Sequence, residues 1–321
     1  MVKLTSSEIV KALATKEGFD LVGIAEAKQL GPEGERLYEW LSRGHNASMD
    51  WMARSREKRI DPRKIVEGAK SVISLARNYY YPVEHPQGPA KISRYAWGDD
   101  YHIVIEEKLK HLVASLKSEF PGRKFVHYCD TGPVMDKAWA QRAGVGWIGK
   151  HTNAINTSIG SWFFLSEIIT DLECEYDTPA MDHCGECRAC IDACPTHALD
   201  EPYVLDSNKC ISFLTIENRD DTIHEDLARN LQNWIFGCDI CQEVCPWNLK
   251  FQKPTDEARF APRQGNLNLN VDDAHLISQE EFARRFSRSP VKRAKHSGFI
   301  RNAKALIVNK TNSESGNKAD N

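Results

Sequence analysis

Cys184-Gly185-Glu186-Cys187-Arg188-Ala189-Cys190-Ile191-Asp192-Ala193-Cys194-Pro195 sets the character of the chain. Three cysteines spaced by two residues, then a fourth after three more and followed by proline, form the bacterial-ferredoxin run. In that run the fourth thiolate ligates the other of two [4Fe–4S] clusters. A second set, Cys210 and then Cys238-x-x-Cys241-x-x-x-Cys245-Pro246, repeats the motif with its first cysteine displaced upstream. Crossing the fourth ligands assigns Cys184, Cys187, Cys190 and Cys245 to one cluster, and Cys194, Cys210, Cys238 and Cys241 to the other. Structural zinc also takes four thiolates, but it usually pairs two C-x-x-C arms without the Cys-Pro ends, so iron–sulfur is the stronger reading. Cys129 and Cys174 fall outside the pattern and read as packed thiols.

Working outward, the 321 residues allow a main domain and a smaller one. An apolar fraction of 41% and a charged fraction of 27% are those of a globular chain. No run reaches the roughly 18–20 apolar residues that span a bilayer. The start, Met1-Val2-Lys3-Leu4-Thr5-Ser6, has no signal-peptide core and no twin arginine, so a cytoplasmic location is expected. In that setting eight clustered cysteines point to metal rather than disulfides. The net charge of −3 advertises no polyanionic partner, so any nucleic-acid contact must come from a local patch.

Upstream of the cysteines, Thr5-Ser6-Ser7-Glu8 predicts a capping box and a helix to about Lys16, stopped by Gly18. Strands are expected at 20–25, 71–76, 125–128 and 162–169, and a helix carries Ile105, Leu109, Leu112 and Leu116 at helical spacing. Strands alternating with helices predict an α/β domain over residues 1–175. A ferredoxin-like two-cluster α+β module follows over 176–255, then a short basic α-helical segment over 256–308 and a disordered tail over 309–321.

Two clusters in line suit one-electron relay, so the α/β domain must hold the chemistry. Asp130, just past the third strand, has two readings: a carboxylate in the ligand crevice at strand ends, or the N-cap of a helix beginning near Val134. Ala143-Gly144-Val145-Gly146-Trp147-Ile148-Gly149-Lys150 matches no phosphate-loop spacing, but its glycines permit a large flat ligand to approach the backbone.

Asp130-Thr131-Gly132-Pro133, the 143–150 segment, Cys210-Ile211-Ser212-Phe213-Leu214-Thr215-Ile216-Glu217 and Gly237-Cys238-Asp239-Ile240-Cys241-Gln242-Glu243-Val244-Cys245-Pro246-Trp247-Asn248 together resemble the epoxyqueuosine reductase family. The resemblance spans nearly the whole chain. It implies a cobalamin cycling between cob(II)alamin and cob(I)alamin, two [4Fe–4S] clusters, and reduction of a tRNA-borne epoxide to an alkene as the last step of queuosine formation. It further implies Asp130 as proton donor, a role suited to a carboxyl of raised pKa. Corrin contacts are implied at Arg59, Tyr95, Asp130, Asn153, Ala154, Leu165 and Ser212. A D-x-H-x-x-G cobalt-ligand motif is missing: Asp100-Tyr101-His102 and Asp273-Ala274-His275 lack the glycine, so His102 and His275 read as ordinary surface or packing histidines.

Basic residues crowd the C-terminal segment. Arg284, Arg285, Arg288, Lys292, Arg293 and Lys295 are the expected tRNA contacts, with Arg301 and Lys304 continuing a run free of Asp and Glu. Many family members continue into a longer helical-repeat region, so a reduced grip on the anticodon arm is expected. The chain is expected to be a monomer fed by an external low-potential electron donor. The rival readings are a cobalamin-dependent reductive dehalogenase and an electron carrier with no substrate of its own.

Overall fold

The computed structural model describes residues 4–316, with side chains to residue 308. The first helix, Ser6–Lys16, starts where the sequence sets it. Glu8 N–H donates to Thr5 Oγ1 and Thr5 N–H to Glu8 Oε2, closing the capping box. Gly18 follows at φ +86°, a left-handed turn that favours glycine. The helix buries Ser7, Val10 and Ala14, spaced by three and four residues on its inner face.

Eight strands occur among the described residues: β1 (Leu21–Glu26), β2 (Ser71–Asn78), β3 (Lys91–Ile92), β4 (Phe125–Tyr128), β5 (Trp147–Ile148), β6 (Ala154–Ile155), β7 (Phe163–Thr170) and β8 (Trp234–Phe236). Four of them form the main sheet in the order β1-β2-β7-β4. The four strands sit within about two residues of their expected positions, but their pairing departs from an α/β sheet. Every neighbouring pair is antiparallel, with Ser74 opposite Glu167 and Tyr128 also opposite Glu167. β2 and β4 run the same way, joined by the helix Tyr101–Glu119, and β7 is inserted between them: a split βαβ unit. Alternation of strands and helices along a chain leaves the spatial order of strands open. A late strand filling the gap converts the sheet.

All eight residues of the central strand β2 are buried, its polar ones included. Each of those finds a partner: Ser71 Oγ donates to Leu172 O (2.7 Å), Arg77 pairs with Asp20 (3.0 Å) and Asp256, and Asn78 Nδ2 donates to Lys253 O (2.7 Å). The helix 101–119 covers the sheet with Ile105, Leu109, Leu112 and Leu116 fully buried, as their spacing predicts.

The cysteine-rich region forms short helices, including Ala189–Asp192, Ile211–Ile216, Ile240–Glu243 and Pro246–Phe251. It is not a separate unit. β3 pairs in parallel with β8, and Asn248, fully buried, accepts from Ser161 N–H (2.6 Å) while donating to Gln242 O (2.8 Å). The basic segment is likewise built in. Phe282, Phe286 and Phe299 pack ring to ring at 5.2–5.4 Å, inside a cluster that includes Trp97, Trp234 and Phe236. The last helix runs Lys295–Gly316, eight residues beyond the expected onset of disorder at 309. Once a helix is nucleated each added residue contributes its own bond, and no proline intervenes before Gly316. Residues 317–321 of the expected tail lie outside the described residues.

Candidate active site

A cavity of about 1180 Å³ opens where β2 and β4 end and β7 begins. All seven implied corrin contacts line it: Arg59, Tyr95, Asp130, Asn153, Ala154, Leu165 and Ser212. So do Cys194, Cys210, Cys238 and Cys241, whereas Cys184, Cys187, Cys190 and Cys245 do not.

All eight cysteines of the two motifs are free thiols whose charges act on one another. Burial raises the Cys190 thiol to about 11, and Cys245, Cys184 and Cys187 add to the shift as its near neighbours. Cys241 is raised by burial and then by Cys210, Cys190 and Cys194, and Cys238 by burial and then Cys241. Cys187 stands exposed at the outer set. Cys129 and Cys174, outside both sets, are buried with raised thiols, as packed cysteines should be.

Glycines in the 143–150 segment shape packing instead of ligand approach. A Cβ at Gly146 would lie 2.5 Å from Ile155 O, and one at Gly149 would lie 2.4 Å from Ile155 Cδ1. They let β5 close onto β6. The same segment ties down the outer cysteine loop: Trp147 Nε1 donates to Cys184 Sγ (3.5 Å), and buried Lys150 donates to Gly185 O (2.5 Å) and Cys187 O (3.0 Å). The local pattern showed glycines but not which side of the hairpin they would face.

Asp130 follows β4 by two residues and is not an N-cap. The next helix, Asp136–Arg142, starts six residues later behind Met135. Asp130 sits at φ 60°, left-handed for a non-glycine residue, which fixes its carboxylate at the cavity wall. Tyr101 OH donates to Asp130 Oδ2 at 2.5 Å, and His102 Nε2 lies 3.4 Å from the same oxygen. Its side chain is 62% exposed and lines the cavity. Burial acts to raise the Asp130 carboxyl, but His102 and Tyr101 prevail and hold it below the usual carboxylate range. The expected raised pKa is therefore corrected: two neighbours favour the anion. The reading of His102 as a surface or packing residue is corrected too. It lines the cavity beside Asp130.

Other lining groups escaped the sequence reading. Asp136 lines the cavity and is paired with Glu167 behind it; burial and the Asp136 charge push Glu167 well above its ordinary range, and burial raises Asp136. Lys137 Nζ donates to Asn153 Oδ1 at 3.1 Å. His151, 3% exposed, accepts from Asn153 N–H at Nδ1 and leaves Nε2 without a partner. Arg59 reaches Gly132 O in the Asp130 loop and lies over the Trp51 ring.

The basic residues divide by their surroundings. Arg284, Arg288, Lys292, Arg293 and Lys295 are exposed, and Lys292 and Arg293 line the cavity mouth. Arg284 pairs with Glu281 (2.7 Å) and Arg293 with Glu217 (2.6 Å). Arg285 is half-buried and donates to Gly265 O (2.9 Å), and buried Arg301 is spent on Leu214, Asn218 and Asp220 carbonyls. Among the described residues no helix is long and apolar enough to cross a membrane.

Comparison with known proteins agrees with this architecture. Residues 59–131 match the family model for epoxyqueuosine reductase QueG, and residues 183–248 match that of a 4Fe-4S double cluster binding domain. The epoxyqueuosine reductase of Cellulophaga algicola is 46% identical over 299 residues, covering 92% of this chain and 96% of its own. That of Synechocystis sp. is 47% identical over 275 residues, 85% of this chain and 94% of its own. A crystal structure of epoxyqueuosine reductase with an epoxyqueuosine-modified tRNA-Tyr stem loop superposes with a TM-score of 0.87 at 30% identity, covering 94% of this chain and 81% of that one. At this identity and coverage the chain belongs to the epoxyqueuosine reductase family.

Proposed function

We infer that this chain reduces epoxyqueuosine at the wobble position of tRNA to queuosine. The cofactors of the family, two [4Fe–4S] clusters and a cobalamin, are its cofactors. The observation that carries the reading is that one cavity has four cysteines of a single crossed set on one wall and Asp130 on another.

The cavity suits a corrin. Its volume exceeds the roughly 300–1,000 Å³ of ordinary small-molecule sites. Three buried polar atoms on its lining residues, His102 Nε2, Asp136 Oδ1 and His151 Nε2, have no hydrogen-bond partner within the protein. Arg59, Tyr95, Asn153, Ala154, Leu165 and Ser212 would hold the cobalamin. When bound, it supplies a strongly reducing cobalt centre for cleaving a C–O bond. Cys194, Cys210, Cys238 and Cys241 would hold the cluster at the cavity wall. Cys184, Cys187, Cys190 and Cys245 would hold the outer one, where exposed Cys187 marks the approach for an external low-potential donor.

Asp130 delivers a proton to the epoxide oxygen as its bond to carbon breaks. Tyr101 and the left-handed backbone at residue 130 aim the carboxylate into the cavity, and Phe164, stacked on Tyr101 at 4.2 Å, keeps that phenol in place. Lys292 and Arg293 border the cavity, and with exposed Arg288 they would neutralise tRNA phosphates. The chain acts as a cytoplasmic monomer on this reading. Nucleoside mass spectrometry of modified tRNA, incubated with reductant and the cobalamin-loaded enzyme, tests it. Queuosine should form, and none should form with the Asp130→Ala protein; unchanged epoxyqueuosine with the wild-type enzyme would refute the assignment.

A further inference from the structure

We propose that His102 stores the proton that Asp130 delivers, so that Asp100, His102 and Asp130 act as one relay on the cavity wall; this rests on the reading of Asp130 as proton donor. The relay is built by a helix start. Asp100 caps the helix Tyr101–Glu119, its Oδ1 accepting the backbone N–H of His102 at 3.0 Å. The same oxygen lies 2.8 Å from His102 Nδ1, so one carboxylate fixes both the helix end and the imidazole ring. The ring is further held by Tyr101, stacked on it at 4.0 Å. Nε2 is thereby turned to Asp130 Oδ2 at 3.4 Å and has no aligned hydrogen-bond partner. A carboxylate behind an imidazole, with a reacting group in front, is the arrangement that selects one tautomer and favours the imidazolium.

Burial acts to lower the basicity of His102, but Asp100 and Asp130 prevail and lift its pKa to about 9. Also acting on the relay are Lys137 and Asp136 from the helix behind it, Glu167 from β7, Cys129 beside Asp130, Arg293 and Arg263 from the C-terminal side, and the phenols of Tyr95 and Tyr101. At neutral pH His102 therefore carries a proton and Asp130 does not.

The chemistry needs such a store. Converting an epoxide to an alkene breaks both C–O bonds, takes two electrons through the clusters from the external donor, and joins two protons to the oxygen that leaves as water. An ionised Asp130 has no proton of its own to give. In the relay the Nε2–H bond of His102 breaks as an O–H bond forms on Asp130, which passes that proton to the departing oxygen. Nδ1–H stays on Asp100, and solvent supplies the second proton and recharges His102. The 3.4 Å gap must close by a few tenths of an ångström, a tightening common when ligand binds.

His102 acts through Asp130, so it is a positioning residue, and rate alone does not test it. The measurement is single-turnover conversion of modified tRNA by the cluster- and cobalamin-loaded enzyme, from about pH 6 to about pH 10. Wild type should hold its rate and then fall as pH rises through about 9. His102→Ala should be about 100-fold slower with no alkaline fall, and added imidazole should restore rate, while His102→Gln should stay slow. Iron content and tRNA binding of each variant report folding. A His102→Ala profile parallel to wild type, without imidazole rescue, beside an inactive Asp130→Asn, overturns the relay alone. A fully active Asp130→Asn overturns the donor assignment beneath it.

Discussion

The two walls of the cavity are unlike. On the cysteine wall burial pushes Cys238 and Cys241 well above the ordinary thiol range, and neighbouring thiols add to the shift. Thiols in such surroundings are inert unless a metal takes their protons. The acid wall is tied together by the chain's own groups. Tyr101 and His102 hold Asp130 as the anion, and Asp100 holds His102 at Nδ1. One wall is a set of thiols suited to an inorganic cluster; the other is a tertiary network of the chain's own making. Damage to the first should appear as lost metal, and damage to the second as lost chemistry with the metal retained.

The sharpest division comes from Asp130→Asn. It should cut conversion of epoxyqueuosine by about 10²–10⁴-fold with iron content unchanged; iron lost along with activity would merge the two walls. Cys241→Ser should do the reverse, releasing about half the iron as one cluster fails, checked by iron and sulfide analysis. Retention of all iron would break the crossed ligand sets. A smaller effect is expected at the mouth. Arg288→Glu with Lys292→Glu, both exposed, should reduce the salt-dependence slope of tRNA stem-loop binding by roughly two units. Arg285 is unsuited to that test because its guanidinium is half-buried on Gly265 O. The smallest effect is at Lys150→Met, which strands the Gly185 and Cys187 carbonyls and should cost about 1–3 kcal/mol. Calorimetry would show it as a lower unfolding temperature, with faster loss of the outer cluster and normal Asp130 chemistry.

The same contrast explains what could be read from the sequence. Cluster ligation is a local code, since the two-residue spacing of Cys184, Cys187 and Cys190 suits one cluster and the three-residue step to Cys194 reaches toward the other. Helix 6–16 and the four sheet strands were legible for similar reasons: a capping box and apolar periodicity act within a few residues. The antiparallel order was not, because β7 enters between β2 and β4 only in space. His102 was misread because its partners are a helix cap beside it and Asp130, 28 residues away beyond β4. An Asp opening a periodic helix was the available clue, since it puts the next two side chains at a helix start that can face a ligand. The glycines of 143–150 misled because a hairpin turned them toward Ile155.

On the proposed reading a corrin lies between the Cys194–Cys241 wall and Asp130. Crystals of the protein grown with cobalamin, measured at the cobalt absorption edge, test it directly. An anomalous cobalt peak inside the cavity bounded by Asp130, Tyr101 and the sulfurs of the inner cysteine set is the predicted result. A peak on the outer surface, or iron peaks with no cobalt in the cavity, would contradict it.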